Sequence, residues 1–467
     1  MIQRWAPIPL AFVAMAAVDG VAQESAPSKA PSPVALATLP AGVELHGTEY
    51  VDPNGLRRID RSTLVFDEAV TRVAFVAFRG ARTVACIGGE LVGEFDFLEE
   101  PLVPPAPHPI RFRAGDRLNE RREKWWLLAD GKKSEANDWI GAIACSRDGA
   151  HVAWWAQPGA TIEEDGSYKR GRQALFFDGK RVEQWPEAES FLPPLFSPDG
   201  SRVAVIVDAN GWRIALAGKK VELLGDGKGL VRDIAWHPDG KSVAWCESSA
   251  LGGRGQPFGG FSESVGAKFE LVVGKRRLGA RFDSCGAPLF SPDGRSIACK
   301  YLELERGADV PRGRLGIAVD EAARGAANFL AIDAMTWSAD GKQLAAAVAL
   351  PLDGASPEDR NAVRFVARAF DRTLVKGTWH LWRDGVVGEP FDALRHLAWS
   401  PDGKRLACAG QRAGKWHVVV DGAIASAIEE PFDELGPPHW SSAAATLVFG
   451  ALRGRSITRQ TLAIAPR

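Results

Sequence analysis

Histidines and adjacent acidic residues are the side chains in this sequence most suited to metal or acid–base chemistry. The chain has eight histidines, and imidazoles that converge on one point can hold a metal ion. His396 and His439 each precede a tryptophan, but at different offsets, which does not favour a shared ligand set. Adjacent acids such as those at 163–165 are typical of a solvated loop. The sequence therefore predicts no metal site and no catalytic residue.

Two common catalytic motifs are missing from the sequence. There is no Gly-x-Ser-x-Gly nucleophile elbow, because the nearest string, Gly260–Ser264, lacks the final glycine. Gly240-Lys241-Ser242 resembles the end of a phosphate-binding loop, but Ala235 stands where the first glycine would be. We therefore expect no cofactor and favour a non-enzymatic protein.

A glycine-rich stretch, 252–261, presents an arginine and two aromatic residues that could bind a partner. Arg254, Phe258 and Phe261 lie among glycines, and aromatics close to an arginine are typical anchors of protein interfaces. The alternative is that both phenylalanines fold back onto the scaffold.

A second stretch, 356–372, predicts a short amphipathic helix. Ser356 is a suitable N-cap, and Pro357 follows at the first helical position with acids behind it. Apolar residues recur at helical spacing, and an arginine stripe lies opposite them: Arg364, Arg368 and Arg372. The stripe is either a partner-binding surface or a solvated face.

A repeated phrase, in its most regular form Phe or Trp followed by Ser-Pro-Asp-Gly, determines the scaffold that positions these residues. Proline in the phrase suits the second position of a type I turn, and its glycine supplies a positive φ at the exit. An apolar strand follows each copy, so each copy predicts a hairpin. The close copies begin at Phe196, Trp236, Phe290, Trp337 and Trp399, and a looser one begins at Cys145.

A second landmark follows each copy, an apolar strand that ends in Asp-Gly or Gly, such as Asp178-Gly179 and Asp421-Gly422. Asp-Gly favours a two-residue hairpin turn, since both positions need positive φ. Each unit then reads strand A, turn, strand B, variable loop, strand C, turn and strand D. Four antiparallel strands per unit predict an all-β fold, a single β-propeller.

The phrase [Phe/Trp]-Ser-Pro-Asp-Gly-x-x-[Leu/Ile/Val]-Ala resembles the bacterial TolB-type propeller repeat, which is WD-repeat-like. The resemblance covers roughly residues 60–467 and implies a ring of blades around a channel. It also implies a protein- or ligand-binding role, but it assigns no functional residue, because the motif is structural.

The number of blades follows from the positions of the turns between strands A and B, which we call the first-turn landmarks. They fall near 66, 145, 196, 236, 290, 337, 399 and 440, which favours eight blades, with nine or seven as alternatives. A degenerate copy at Phe112–Asp116, with Trp125–Leu128 as its third strand, would make nine. We expect a strand from the N-terminal side, such as Val43–Leu45, to complete the last blade, since an open ring would leave an unpaired edge.

The repeated tryptophans and the cysteines fit a structural role. Trp236, Trp337, Trp399 and Trp440 share one slot, and we expect them to pack between blades rather than stack on carbohydrate. Of the six cysteines, Cys299 and Cys408 fill one apolar slot of strand B and Cys145 takes the slot used by Phe or Trp, which predicts small buried side chains, although an exported chain could form disulfides.

The start of the chain predicts export. Residues 1–22 have a positive charge followed by a short apolar run, as in a signal peptide, and residues 23–40 form a Pro/Ala/Ser-rich linker before a propeller domain at 41–467. No other segment is long and apolar enough to predict a membrane span. A formal net charge of −1 argues against nucleic-acid binding. We expect a bacterial periplasmic or extracellular location.

Long segments fall between strands B and C, and in a four-stranded meander those loops share one face of the ring. A rigid scaffold that carries variable loops favours binding at the loops. The sequence thus predicts a non-enzymatic scaffold that binds a protein or glycan on that face. The alternatives are a propeller enzyme, such as a polysaccharide lyase or glycosidase at the channel mouth, and a member of an envelope import assembly.

Overall fold

The described residues form nine antiparallel β-sheets of four or five strands, together with two small hairpins, as the all-β prediction requires. The computed structural model describes residues 32–464 apart from 46–48, 52–56, 60–63, 81, 100, 120–121, 158–160, 163–167, 170–171, 186, 189–191, 219, 249–267, 306–311, 321 and 353–376. All regular elements found within the described residues are strands. Among them there is no helix of the length and apolarity that crossing a bilayer requires.

The sheets are the blades of a propeller, numbered here in chain order, and the strands of each blade are A to D. Before blade 1 the chain forms β1 (Val34–Thr38) and a small hairpin, β2 (Glu49–Val51) and β3 (Arg57–Ile59). Blade 1 contains β4 (Val65–Phe66), β5 (Val73–Arg79), β6 (Arg82–Ile87) and β7 (Glu90–Phe95). Blade 2 contains β8 (Phe97–Leu98), β9 (Arg111–Asn119), β10 (Arg122–Ala129) and β11 (Lys132–Lys133).

Blades 3 and 4 include extra short strands. Blade 3 contains β12 (Trp139–Cys145), β13 (Val152–Gln157), β16 (Gln173–Phe177) and β17 (Lys180–Trp185), with the hairpin β14 (Thr161–Ile162) and β15 (Tyr168–Lys169) inserted between strands B and C. In blade 4, strand A is split into β18 (Glu187–Ala188) and β19 (Leu195–Phe196), and β20 (Val203–Asp208), β21 (Trp212–Ala217) and β22 (Val221–Leu224) follow.

Blades 5 to 7 are regular four-stranded sheets. Blade 5 contains β23 (Val231–Trp236), β24 (Val243–Ser248), β25 (Phe269–Val273) and β26 (Arg276–Phe282). Blade 6 contains β27 (Ser284–Phe290), β28 (Ile297–Glu305), β29 (Arg312–Val319) and β30 (Ala322–Phe329). Blade 7 contains β31 (Ala331–Trp337), β32 (Leu344–Pro351), β33 (Gly377–Arg383) and β34 (Val386–Phe391).

Blades 8 and 9 end the chain. Blade 8 contains β35 (Ala393–Trp399), β36 (Leu406–Arg412), β37 (Lys415–Val420) and β38 (Ala423–Ile424). Blade 9 has a split strand A, β39 (Glu434–Leu435) and β40 (His439–Trp440), followed by β41 (Thr446–Arg453) and β42 (Ser456–Ala463). Its fourth strand is β1 from the start of the chain.

The count of nine is the alternative that the sequence left open, and eight is not observed. The additional blade is blade 2, between the landmarks at 66 and 145. Phe112–Asp116, predicted as a degenerate first turn, lies instead inside strand B, while Trp125–Leu128 lies in strand C as predicted. Blade 2 lacks the turn phrase because residues 99–110 connect its strands A and B by a longer route.

Apolar clusters fill every interface of the ring. Nine clusters of buried residues occur, and each joins one blade to the next, including blade 9 to blade 1. Neighbouring A strands contact one another, which places strand A next to the central channel. The core is therefore a closed circle of interfaces rather than one central mass.

The ring is closed by a strand from the N-terminal side, as expected, but by a different one. β1 pairs with β42 from Val34↔Arg459 to Thr38↔Ser456, and Arg455 Nη2 donates to Leu39 O at 2.6 Å. β1 thus lies within the segment 23–40 that was predicted as a linker. Val43–Leu45 does not form the closing strand, since Glu44 makes a bridge with Phe78 in blade 1.

The repeated turn is held by its serine and aspartate. In blades 4, 6, 7 and 8 the serine Oγ donates to the aspartate Oδ1 at 2.6 Å, and in each of these turns Oγ accepts a backbone N–H five residues on at 2.9–3.0 Å. The glycine has φ between 68° and 77° in all six copies. The phrase is therefore turn chemistry, as predicted.

The second turn is anchored to the first by its aspartate. Asp178 and Asp421 have positive φ together with their following glycines, as in a type I′ turn. Their Oδ1 atoms accept the backbone N–H of Val152 and Leu406, each the first residue of its strand B, at 2.9 Å. The A–B and C–D turns therefore lie at the same end of each blade, as predicted. We call this end of the ring the turn face.

The repeated tryptophans join neighbouring blades. Trp236, Trp337, Trp399 and Trp440 all belong to or pack on interblade clusters, which confirms their predicted structural role. Each indole Nε1 donates to a strand A carbonyl of the preceding blade, to Leu195 O, Leu289 O, Thr336 O and Ala398 O respectively, at 2.8–3.2 Å.

Candidate functional site

The long connections between strands B and C leave from one end of the ring, opposite the turn face. They join β13 to β16, β24 to β25, β28 to β29 and β32 to β33. Ser248 at the end of strand B of blade 5 exchanges hydrogen bonds with Leu230, which precedes strand A. The B–C and D–A connections thus share an end, which we call the insertion face.

The sequence-predicted binding residues belong to two of these connections. Arg254, Phe258 and Phe261 follow β24, and Arg364, Arg368 and Arg372 follow β32, together with the predicted helix at 356–372. All six residues and the helix lie outside the described residues. What the structure does describe is the base from which each segment leaves the ring.

Polar contacts within two pairs of residues, Leu230 with Ser248 and Lys268 with Asp283, fix the base of the 249–267 segment. Leu230 N donates to Ser248 Oγ at 2.8 Å, and Ser248 N donates to Leu230 O at 2.9 Å. On the other side of the segment, Lys268 Nζ lies 2.7 Å from Oδ1 of Asp283, whose side chain is 10% exposed. The residues at both ends of the segment are therefore bonded to neighbouring connections of the ring.

A cluster of charged side chains lies directly below this base, between blades 4 and 5. Glu247 and Glu270 are opposite each other on β24 and β25. Arg277 bridges them, with Nη2 at 2.9 Å from Glu247 Oε2 and Nη1 at 3.0 Å from Glu270 Oε1. Asp226 lies further off, at 3.8 Å from Nη2. We call these four residues the blade 5 ionic cluster.

The electrostatics of this cluster are unbalanced, with three carboxylates around one guanidinium. Glu247 is 1% exposed, and among the described residues its Oε1 has no hydrogen-bond partner. Burial raises the pKa of Glu247, and the attraction of Arg277 offsets only part of that rise. Burial alone would lower the pKa of Arg277, but its acidic neighbours outweigh this and raise it. The two directions are compatible because Arg277 is 40% exposed whereas Glu247 is enclosed.

The two glutamates do not form an accessible acid–base pair. A glycosidase needs two carboxyl groups that flank the scissile bond of a bound sugar. Oε2 of Glu247 is already bonded to Arg277, and the remaining oxygen is buried. The arrangement is suited to holding the strands beneath the insertion together.

The base of the 353–376 segment contains a histidine with both ring nitrogens engaged. His380 Nδ1 donates to Gly388 O at 2.8 Å, and Nε2 lies 2.8 Å from the Thr378 hydroxyl. Both ring nitrogens are therefore engaged in hydrogen bonds, and neither is free to bind a metal. Within the described residues no group of three metal-ligating side chains converges.

Strands A and B carry a second set of polar side chains. Bulges in β23, β27 and β35 give Asp233, Ala287 and His396 positive φ. Asp233 Oδ2 accepts Ala287 N at 2.8 Å across the blade 5–6 interface. Lys300 Nζ donates to Ile332 O at 2.8 Å and to Asp333 O across the next interface, and burial lowers its pKa to about 8.

These inner contacts tie blades together near the channel rather than create a site for a ligand. Arg395 follows the same pattern in blade 8, where it pairs with Glu434 and donates to Leu435 O at 3.0 Å in blade 9. His439, an inner-strand histidine considered from the sequence, has a pKa lowered mainly by burial.

The blade 5 ionic cluster and Lys300 were missed in the sequence. Glu247 follows four apolar residues in the strand Val243–Ser248, and Glu270 interrupts the otherwise apolar strand Phe269–Val273. Charged residues in strands that should be buried on both faces were the available signal. That the two are opposite each other depends on strand register, which the sequence alone does not give.

Comparison with known proteins adds the following. No protein-family model matches the chain, and no curated protein matches it. Similar solved structures include a Dos1 propeller, at 10% identity over 76% of this chain and 90% of that one, with a TM-score of 0.38. The β-propeller domain of the Trilobed protease from Pyrococcus furiosus is 9% identical over 79% and 98%, with a TM-score of 0.34. A structure described as the eukaryotic initiation factor is 11% identical over 82% and 90%, with a TM-score of 0.43. The nine-bladed ring is established by the strand pairing of this chain itself.

Proposed function

We propose that this chain is an exported, non-enzymatic β-propeller that binds a protein or glycan partner through its insertion face. The observation that supports this proposal is that the two faces of the ring differ. On the turn face, hydroxyl–carboxylate and carboxylate–backbone hydrogen bonds repeat from blade to blade. On the insertion face, four connections of different length and sequence leave from the ends of B strands.

The rigidity of the base supports this proposal. Binding segments are effective when a scaffold fixes where they begin and end. The 249–267 segment leaves from Ser248 and returns at Lys268, and both residues are bonded to neighbouring connections. The blade 5 ionic cluster holds the strands beneath them.

Export is proposed from the sequence. The charged and apolar run at 1–22 followed by small residues is the pattern of a signal peptide. The repeat phrase resembles that of TolB-type propellers, which agrees with a periplasmic or extracellular location. The location stays a prediction.

Affinity capture from cell-envelope extracts tests the proposal. The wild-type chain is compared with variants that lack 252–264 or 355–374, and with K342A/K404A as a control on the turn face, where both lysines are exposed. We expect partners captured by the wild type and the control to be lost from at least one deletion variant. Identical partner profiles for all four proteins would contradict binding at the insertion face. A purified partner or glycan fraction then measures the loss of affinity directly.

A further inference from the structure

Three cysteines belong to the apolar cluster at the interface between blades 5 and 6. Cys246 lies in β24, Cys285 in β27 and Cys299 in β28, and all three belong to one apolar cluster with exposures of 0%, 0% and 3%. The thiols of Cys246 and Cys285 are hydrogen-bonding neighbours. The other cysteines, Cys86, Cys145 and Cys408, lie in different blades.

The strand register distinguishes the possible pairs. On the paired strands of blade 6, Cys285 is opposite Tyr301, so Cys299 is two residues away along the partner strand. Diagonal neighbours of this kind have Cα atoms about 7–8 Å apart, beyond the roughly 4.4–6.8 Å that a disulfide spans. Cys246 approaches Cys285 across the blade interface, where β24 and β27 are in contact. Cys246 hydrogen-bonds with Cys285, whereas with Cys299 it has only an electrostatic interaction, so Cys246 with Cys285 is the favourable pair.

We propose that Cys246 and Cys285 form a disulfide that covalently joins blades 5 and 6 when the chain folds in an oxidising compartment. The inference rests on the proposed export, because such compartments are where disulfides persist. In the structure all six cysteines are thiols, so the bridge corresponds to the oxidised form of this pair.

The oxidation needs an external disulfide as electron acceptor. The thiolate of one cysteine attacks that disulfide and releases one thiolate, which leaves a mixed disulfide on the chain. The second cysteine then attacks the mixed disulfide, forms the Cys246–Cys285 bond and releases the second thiolate. Two electrons pass from the two cysteines to the acceptor, and two protons pass to solvent or to the released thiolates.

The timing of this reaction follows from burial. Burial raises the pKa of Cys246 well above its usual range, so the folded thiol is a poor nucleophile. The exchange therefore belongs to folding, before the interface closes. The bond would enclose the chain that contains Glu247, the 249–267 segment and Glu270, and so would fix the base of the insertion face.

Oxidative refolding tests the pair independently of where the protein resides in the cell. Denatured, reduced full-length protein is refolded with oxidised and reduced glutathione, then alkylated under denaturing conditions so that buried thiols react, and mapped by mass spectrometry. We expect four of the six cysteines to be alkylated and one linked peptide to join Cys246 to Cys285. C299A should form the same link, and C246A and C285A should each lose it. Refolded protein with six alkylated cysteines, or with its link at Cys299, would overturn the proposal.

Two further measurements test the proposal: the Tm of the refolded protein and the redox state of the cysteines in protein isolated from cells. Reduction should lower the Tm of the refolded wild type by about 3–6 °C, and it should leave the Tm of C246A/C285A unchanged. An equal Tm for oxidised and reduced wild type would contradict the proposal that the bond joins the two blades. Protein isolated from cells with rapid alkylation separates the two proposals. A linked pair in refolded protein combined with six thiols in native protein would count against export while upholding the pairing chemistry.

Discussion

The indole Nε1 of Trp337 donates a hydrogen bond to the carbonyl oxygen of Leu289 at 3.0 Å, and this bond joins the A strands of blades 7 and 6. Trp236, Trp399 and Trp440 make the equivalent bond to the preceding blade. The interblade contact thus combines apolar packing with a directional bond that fixes the relative height of adjacent blades.

Replacement of Trp337 by phenylalanine tests this bond. Phe290 occupies the same slot in blade 6, so a phenyl ring fits the position, but Leu289 O would lose its donor. We expect W337F to lower the free energy of unfolding by about 1–2 kcal/mol, measured by urea denaturation. F290W is the matched reverse change, because its indole could reach Ala235 O. A W337F protein as stable as wild type would show that the bond contributes nothing beyond packing.

The aspartates of the repeated turns should be unusually acidic. The Ser197 hydroxyl, helped by Ser201, lowers the pKa of Asp199 to about 2, and Asp293, Asp340 and Asp402 are lowered by their own turn serines first. Because these folded pKa values lie below the unfolded value near ~3.9, the stability they contribute is present above pH ~4 and is lost as the pH falls towards 2.

Carboxyl NMR titration measures this directly. In wild type Asp199 should titrate near pH 2, and in S197A its pKa should rise towards the ordinary value while that of Asp402 stays unchanged. If Asp199 titrates alike in both proteins, the serine is not the cause of the shift.

The blade 5 ionic cluster should make R277A sensitive to pH. Without the guanidinium, buried Glu247 and Glu270 face each other unpaired, which costs about 3–5 kcal/mol for a fully buried pair. Arg277 is 40% exposed, so solvent screening reduces the expected loss to about 1–3 kcal/mol. Protonation of Glu247 relieves the repulsion, so the loss should be larger at pH 7 than at pH 4.

E247Q/R277A provides the control for that prediction. It removes the charge of the more buried glutamate, and its stability relative to wild type should vary less with pH than that of R277A. Thermal unfolding at both pH values checks this. An R277A deficit that is equal at pH 4 and pH 7 would rule out unpaired carboxylates as its origin.

Removal of β1 should open the ring. β1 pairs along β42, and without it β42 becomes an exposed edge. We expect a chain that begins at residue 41 to have a lower Tm and to aggregate, whereas one that begins at residue 32 should behave as the longer chain does. Light scattering during thermal unfolding compares the two. Equal behaviour would mean that the closing strand is dispensable.

The sequence predicted the features that depend on local chemistry. Ser197-Pro198-Asp199-Gly200 encodes a turn in its own side chains, so each copy located strands A and B. Blade 2 was ambiguous because residues 99–110 replace that turn. The closing strand was misplaced because Val34–Thr38 is short and half exposed, and its pairing with Ser456–Arg459 depends on ring geometry that no local pattern encodes.

The candidate site could be predicted only in part for the same reason. That the variable connections share a face follows from the order of strands, and the structure confirms it. The pairing of Glu247 with Glu270, and the approach of Arg277 from strand D, require the register of three strands. Local sequence does not fix register across a 20-residue insertion.

Amine footprinting of the chain in complex with its captured partner tests whether the partner binds at the insertion face. Lys228 and Lys415 are exposed on the insertion face, and Lys241, Lys342 and Lys404 are exposed on the turn face. Acetylation rates with and without the partner are compared by mass spectrometry. We expect protection at Lys228, Lys415 or both, with unchanged rates at the three turn-face lysines. Protection confined to Lys241, Lys342 and Lys404 would contradict it.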